Sequence, residues 1–145
     1  MNKGLRRAPE APVRSQESSV RSEIMIKTYR DLVVWQKAHC LARAVLRACR
    51  EFPQTDEARM IKGQVIRSAT SIPANIAEGF GGNKGKAFQN SLTIARREAG
   101  ETDYWLLLSL EEGYLDGKAH AELEHGYNEV RAMLTSMISK ITDDS

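Results

Sequence analysis

The side chains with most scope for chemistry in this 145-residue chain are its arginines and lysines. Arg43, Arg47 and Arg50 follow one another at steps of four and three, which puts all three in one narrow stripe of a helix. Lys84, Lys86, Arg96 and Arg97 form a second group, with Arg59, Lys62 and Arg67 on a preceding helix that could lie close to it. Contact with the phosphates of RNA or DNA needs only such charge and no element that reads bases. Solvated helix faces have the same composition, so both readings stay open.

The carboxylates and amides give weaker signals. Asn75 and Glu78 share a helical face just after Pro73. They could bind a ligand or line a pore, or they could hydrogen-bond a neighbouring helix or the backbone that the proline loosens. Glu101 and Asp103, two apart, do not face each other on a helix. Glu98 and Glu101 are better placed, and with Arg96 and Arg97 nearby they suggest exposed ion pairs. A dimetal carboxylate bundle needs a Glu-x-x-His pair on each of two helices. Only Glu122 with His125 fits that spacing, since His39 and His120 have no glutamate three residues before them. No metal or other cofactor is therefore expected. Cys40 and Cys49 are nine apart, two and a half helical turns, so they point to opposite faces and cannot bridge. They read as two small, partly buried thiols in a reducing cytoplasm. No Gly-x-Ser-x-Gly elbow occurs, and the Gly81-Gly82-Asn83-Lys84-Gly85-Lys86 run lacks the order of a phosphate loop. Nothing here asks for a catalyst, and the expectation is a binding protein rather than an enzyme.

These residues must be positioned by helices. The stripe Val34, Ala38, Leu41, Val45, Cys49 predicts a first helix over about 31–51, with Thr28 or Asp31 as its cap and Pro53 beyond its end. A second helix starts near Thr55 with the stripe Ile61, Val65, Ala69, Ile72, Ile76, Phe80. Pro73 lies inside it, where it removes the hydrogen bond to Ala69 and should kink rather than end the helix. Gly79, Gly81 and Gly82 should terminate it. Phe88, Leu92, Ala95, Ala99, Thr102, Leu106 and Ser109 or Leu110 mark a third helix over about 84–112, closed by Gly113. Leu123, Tyr127, Val130, Leu134, Met137 and Ile141 mark a fourth over about 118–141. Short loops make neighbours antiparallel, so the fold class is all-α: an up-down four-helix bundle over 29–142, with 143–145 as its end.

Residues 1–28 carry two prolines, several serines and no apolar stripe before Ile24, and read as a disordered tail. They hold six basic and three acidic residues, whereas the remainder holds 15 and 16, so the tail is basic and the body balanced. Met25 could be an alternative start to Met1. No apolar run is long enough to span a membrane and no secretory signal is visible, which suggests a cytoplasmic protein. Helix three is apolar on more than one side, through Trp105, Leu107 and Leu108, and Trp35 lies off the stripe of helix one. Such surplus apolar surface predicts a homo-oligomer.

Three segments, in order, resemble a known family: Tyr29-Arg30-Asp31-Leu32-Val33-Val34-Trp35-Gln36-Lys37-Ala38, Ser71-Ile72-Pro73-Ala74-Asn75-Ile76-Ala77-Glu78-Gly79-Phe80, and Glu101-Thr102-Asp103-Tyr104-Trp105-Leu106 with Gly113-Tyr114-Leu115. The family is that of the four helix bundle proteins, or 23S ribosomal RNA intervening-sequence proteins. The resemblance implies an antiparallel bundle that assembles as a cyclic pentamer. One relative is the accessory variability protein of diversity-generating retroelements, a basic pentamer that binds nucleic acid and associates with a reverse transcriptase. By that resemblance the partners would be further copies of the chain, RNA or DNA, or a nucleic-acid-processing protein such as a reverse transcriptase. The bundle of this chain is near neutral where that relative is basic, and no catalytic set carries over.

Overall fold

The computed structural model describes residues 26–82 and 85–144. The tail expected over 1–28, the choice between Met1 and Met25, and Lys84 fall wholly or largely outside these residues. A 3-10 turn, Tyr29–Asp31, precedes four helices: α1 (Val33–Cys49), α2 (Asp56–Gly82), α3 (Lys86–Glu111) and α4 (Gly117–Asp144). Each packs on its neighbours in sequence and α4 returns to α1, which makes a square antiparallel bundle with the α2–α3 contact the most extensive. No strand occurs among the described residues.

The helix boundaries follow from local chemistry. Thr28 and Asp31 form a capping box, with the Arg30 N–H donating to the Thr28 hydroxyl and the Lys27 and Thr28 N–H groups donating to the Asp31 carboxylate. Those two backbone donors hold the Asp31 carboxyl below its ordinary range. The box closes the 3-10 turn rather than α1, whose N-cap Leu32 has no side-chain bond. Thr55 accepts from the Ala58 N–H at 3.2 Å, as its type suggests. At the end of α3, beside the start of α2, Gly113 takes a φ of 81°. The Tyr114 N–H then reaches back to the Ser109 carbonyl at 2.8 Å and the Gly113 N–H to Leu110 at 3.0 Å, a Schellman closure. Tyr114 is thereby laid against Phe52, ring centres 5.3 Å apart, sealing that end of the core.

The predicted stripes are the core. Val34, Ala38, Val45 and Cys49 of α1, Ile61 to Ile76 of α2, Leu92 to Leu106 of α3 and Leu123 to Leu134 of α4 are buried in one cluster. Ala42 takes the place expected of Leu41, which is only half-buried. Cys40 is exposed, which corrects the expectation of two partly buried thiols, while burial pushes the Cys49 thiol up to about 11. Helix α2 runs through Pro73 without ending. The Thr70 hydroxyl donates to the Ile66 carbonyl and the Asn75 amide to the Ser71 carbonyl, both at 2.8 Å.

Gly79 lies inside α2 and does not terminate it. Its role is steric: a Cβ there would meet the Ser91 Cβ at 2.4 Å, so α2 and α3 touch backbone to side-chain root. Gly79→Ala is expected to destabilise by about 1–3 kcal/mol through overpacking. Gly63, on the exposed side of the same helix with nothing within 4 Å, should gain about 0.5–1 kcal/mol when changed to alanine. Thermal unfolding of the two variants against the parent checks the opposite signs.

The Tyr127 hydroxyl is buried with no hydrogen-bond partner among the described residues. Burial raises its pKa. An unpaired buried hydroxyl costs about 1–3 kcal/mol, so Tyr127→Phe should unfold at a higher denaturant midpoint than the parent. A fall of comparable size would show that the hydroxyl holds a buried water.

Candidate assembly and nucleic-acid surfaces

Helices α2 and α3 meet through polar groups at mid-height. The Ser68 and Thr102 hydroxyls, both fully buried, hydrogen-bond at 2.8 Å, and the Thr102 hydroxyl also reaches the Glu98 carbonyl at 2.8 Å. Outside this pair, Arg67 bridges from α2 to Glu98 at 3.3 Å and to Glu101. Glu101 also accepts from the Trp105 indole N–H at 3.0 Å. That indole bond first, and Arg67 second, hold the Glu101 carboxyl below its ordinary range.

Toward the α3 C-terminus this network gives way to apolar surface. Met60 is 54% exposed, Tyr104 53% and Leu107 42%, and Trp105 and Leu108 beside them are half-buried. We call this the ridge. The sequence points to Trp105, Leu107 and Leu108 but not to Met60 or Tyr104. Met60 sits off the α2 stripe, and only the register of α2 on α3 brings it level with Leu108. Trp35, expected in the same group, is on α1, which packs chiefly on α2 and α4. It is half-buried, stacked on His39 at 4.7 Å and edge-on to Tyr29 at 5.0 Å.

The basic residues divide differently from the sequence expectation. Arg43, Arg47 and Arg50 are all exposed on α1, with no carboxylate in ion-pair distance among the described residues. Arg59 and Lys62 belong with these three, not with the helix-three group. They begin α2 just after the turn from α1, and the Lys62 charge is felt at Cys49. Arg59 is itself tied to Asp56 and to the Gln54 carbonyl. Lys86, exposed, lies at the opposite end of the bundle, about 35 Å along α2 from Arg59 at 1.5 Å per residue. Arg67 is held by its two carboxylates, Arg96 donates to the Thr135 hydroxyl at 3.2 Å, and Arg97 is exposed.

Pro73 and Gly79 are buried. Asn75, half-buried, spends its amide on Ser71, and Glu78 is exposed, so the pair does not converge on a pocket. Among the described residues no three His, Cys, Asp or Glu side chains gather where they could hold a metal ion. None of the described helices is long and apolar enough to cross a membrane.

The description of 23S rRNA-intervening sequence proteins matches residues 30–136. The chain belongs to that family. A crystal structure of a protein of unknown function from the S23 ribosomal protein family of Bacteroides thetaiotaomicron VPI-5482 is similar, with a TM-score of 0.68 and 30% identity. The likeness covers 73% of this chain and 98% of that one. No curated protein matches the chain. The family match spans all four helices, and therefore both the ridge and the arginine stripe.

Trp105→Phe keeps the ring and deletes the indole donor, so the Glu101 titration midpoint should rise toward that of an ordinary glutamate. A carboxylate depressed in the folded state contributes stability above its unfolded pKa and loses it as pH falls through the folded value. In the variant that loss should begin at higher pH. The pair lies largely in water, so the change is small and is best read by carboxyl NMR titration.

Proposed function

We propose that the chain is a non-enzymatic, homo-oligomeric scaffold, five-membered as the family resemblance implies, which contacts RNA or DNA through the arginine stripe of α1. The observation that carries this reading is a contrast between arginines. Arg59, Arg67, Arg96 and Arg131 are each held by a neighbour's oxygen, whereas Arg43, Arg47 and Arg50 stand together, exposed and without a carboxylate partner among the described residues. Unpaired guanidinium groups at this spacing suit a run of phosphates. Assembly repeats the stripe once per copy, so weak contacts on each copy add along one polyanion. The family's description as intervening-sequence proteins of 23S rRNA supports a nucleic-acid setting.

Each phosphate contact contributes about 0.7 to the slope of log K against log salt on single strands and about 0.9 on duplexes. Replacing Arg43, Arg47 and Arg50 by alanine together should therefore lower that slope by about 2–3 per copy engaged, while Arg59→Ala changes it less. Titration of labelled RNA and DNA at several salt concentrations checks this. An unchanged slope, or no binding at low salt, overturns the reading and leaves a protein partner, such as a reverse transcriptase, for this face.

A further inference from the structure

We infer that the nucleic acid taken by α1 is an unpaired strand, one of whose bases stacks on the outer face of His39. This rests on the phosphate-contact reading above and names the class of strand.

Helix α1 contains no Asp or Glu from Val33 to Cys49. Its basic side chains are Lys37, Arg43 and Arg47, followed at its C-cap by Arg50. At 3.6 residues per turn, Trp35, His39, Arg43, Leu46 and Arg50 fall within about 80° of one another. They lie on the flank away from Lys37 and Leu41, which meet α4, and therefore toward α2. One side of the helix thus presents two flat rings and then a run of guanidinium groups, with no carboxylate of its own among them.

The rings form a step. The Trp35 indole and the His39 imidazole stack with centres 4.7 Å apart and planes 9° from parallel. Trp35 is half-buried against the core, and Tyr29 meets it edge-on at 5.0 Å, so the indole is held in place. His39 is exposed, and among the described residues no hydrogen bond, ion pair or second ring engages it. One face of the imidazole lies on the indole and the other is open to water. A nucleobase laid there extends a stack whose inner members are already ordered, so binding costs the protein little side-chain freedom. Such stacking accepts any base and is a general means of holding single strands. Positive charge flanks the step on both sides. The Arg30 guanidinium lies 5.1 Å from the centre of the Tyr29 ring, and Arg43 follows His39 by about one helical turn. Asp31, the carboxylate next to Arg30, is engaged by the Lys27 and Thr28 N–H groups.

The ring discriminates where the arginines do not. Phosphate contacts carry no information about the bases. In a duplex each base face is covered by its neighbours, and only an unstacked base can be splayed onto an aromatic side chain. From His39 to Arg50 is about 16 Å along the helix at 1.5 Å per residue, which is room for a few nucleotides of one strand.

The test uses the full chain and three probes of equal length: a short homopolymer strand, as RNA and as DNA, a blunt duplex, and an abasic strand that keeps the phosphates and lacks the bases. The parent should bind the homopolymer more tightly than the duplex, and about five- to tenfold more tightly than the abasic strand, the low end of what one stacked base contributes. His39→Ala should lose that five- to tenfold preference and bind the abasic strand and the duplex as before. Its salt slope should stay that of the parent, because stacking releases no phosphate counterions. His39→Phe restores a flat ring and should recover most of the loss, which a charge or hydrogen bond from the imidazole would not allow. A parent that prefers the duplex or binds the abasic strand equally well overturns the stacking step and leaves the arginine contacts standing. So does a His39→Ala variant that binds the homopolymer like the parent, or a His39→Phe variant as weak as His39→Ala. No binding of any probe at low salt overturns the arginine contacts and the stacking together.

Discussion

Helices α2 and α3 approach so closely at Gly79 that even a methyl group there would collide with the root of Ser91. One turn of choice in that register is removed by sterics, and the rest is removed lower down, where the Ser68 and Thr102 hydroxyls must find each other in a fully buried setting. Sliding α3 by a single residue would break the bond between them and leave each hydroxyl only the carbonyl of its own helix, Val65 for Ser68 and Glu98 for Thr102, at a cost of about 0.5–1.5 kcal/mol. With that register set, Arg67 falls between Glu98 and Glu101, and Trp105 is held by its indole bond to Glu101.

The tightness of this pair makes the opposite side loose. The half-buried positions that face each other across the seam between α1 and α4 are Ala44 and Ala48 of α1 and Ala119 of α4, and side chains of that size leave the two helices less filled there than at Gly126, where Leu41 packs directly on the α4 backbone. The bundle is therefore asymmetric. Its apolar interior is complete, but it leaves a ridge on one side and a recess on another, both made of residues that sit just off the core stripes.

That distinction explains what could be seen in the sequence. The stripe residues, the caps at Thr55 and Gly113, and the end of α1 before Pro53 were legible because they depend on spacing and on the chemistry of a few adjacent residues. Pairings across helices were not. Arg67 meets carboxylates 31 and 34 positions away, and a helical wheel fixes the face of each helix without fixing the height of its neighbour. For the same reason Arg59 and Lys62 seemed to belong with the helix-three lysines, although the turn after α1 keeps them at the other end. Gly79 read as a terminator because glycine usually ends helices; the signal that would have corrected it is the apolar pattern continuing to Phe80, half-buried against Phe88 with ring centres 6.1 Å apart.

The near-neutral charge of the bundle argues against nucleic-acid contact only if charge is counted without regard to pairing. Much of the acidic complement is spent locally: Glu98 and Glu101 on Arg67, Asp56 on Arg59, Glu129 on Lys37, and Asp31 and Asp116 on backbone N–H groups. What an approaching polyanion meets is the local field, and on α1 that field comes from three guanidinium groups with no carboxylate partner among the described residues. Arg43 and Arg50 point roughly 100° or more around α1 from Ala44 and Ala48. The charge thus stands mostly on a different side of α1 from the half-buried alanines of the α1–α4 seam, with Arg47, about 60° from Ala44, the nearest of the three to it.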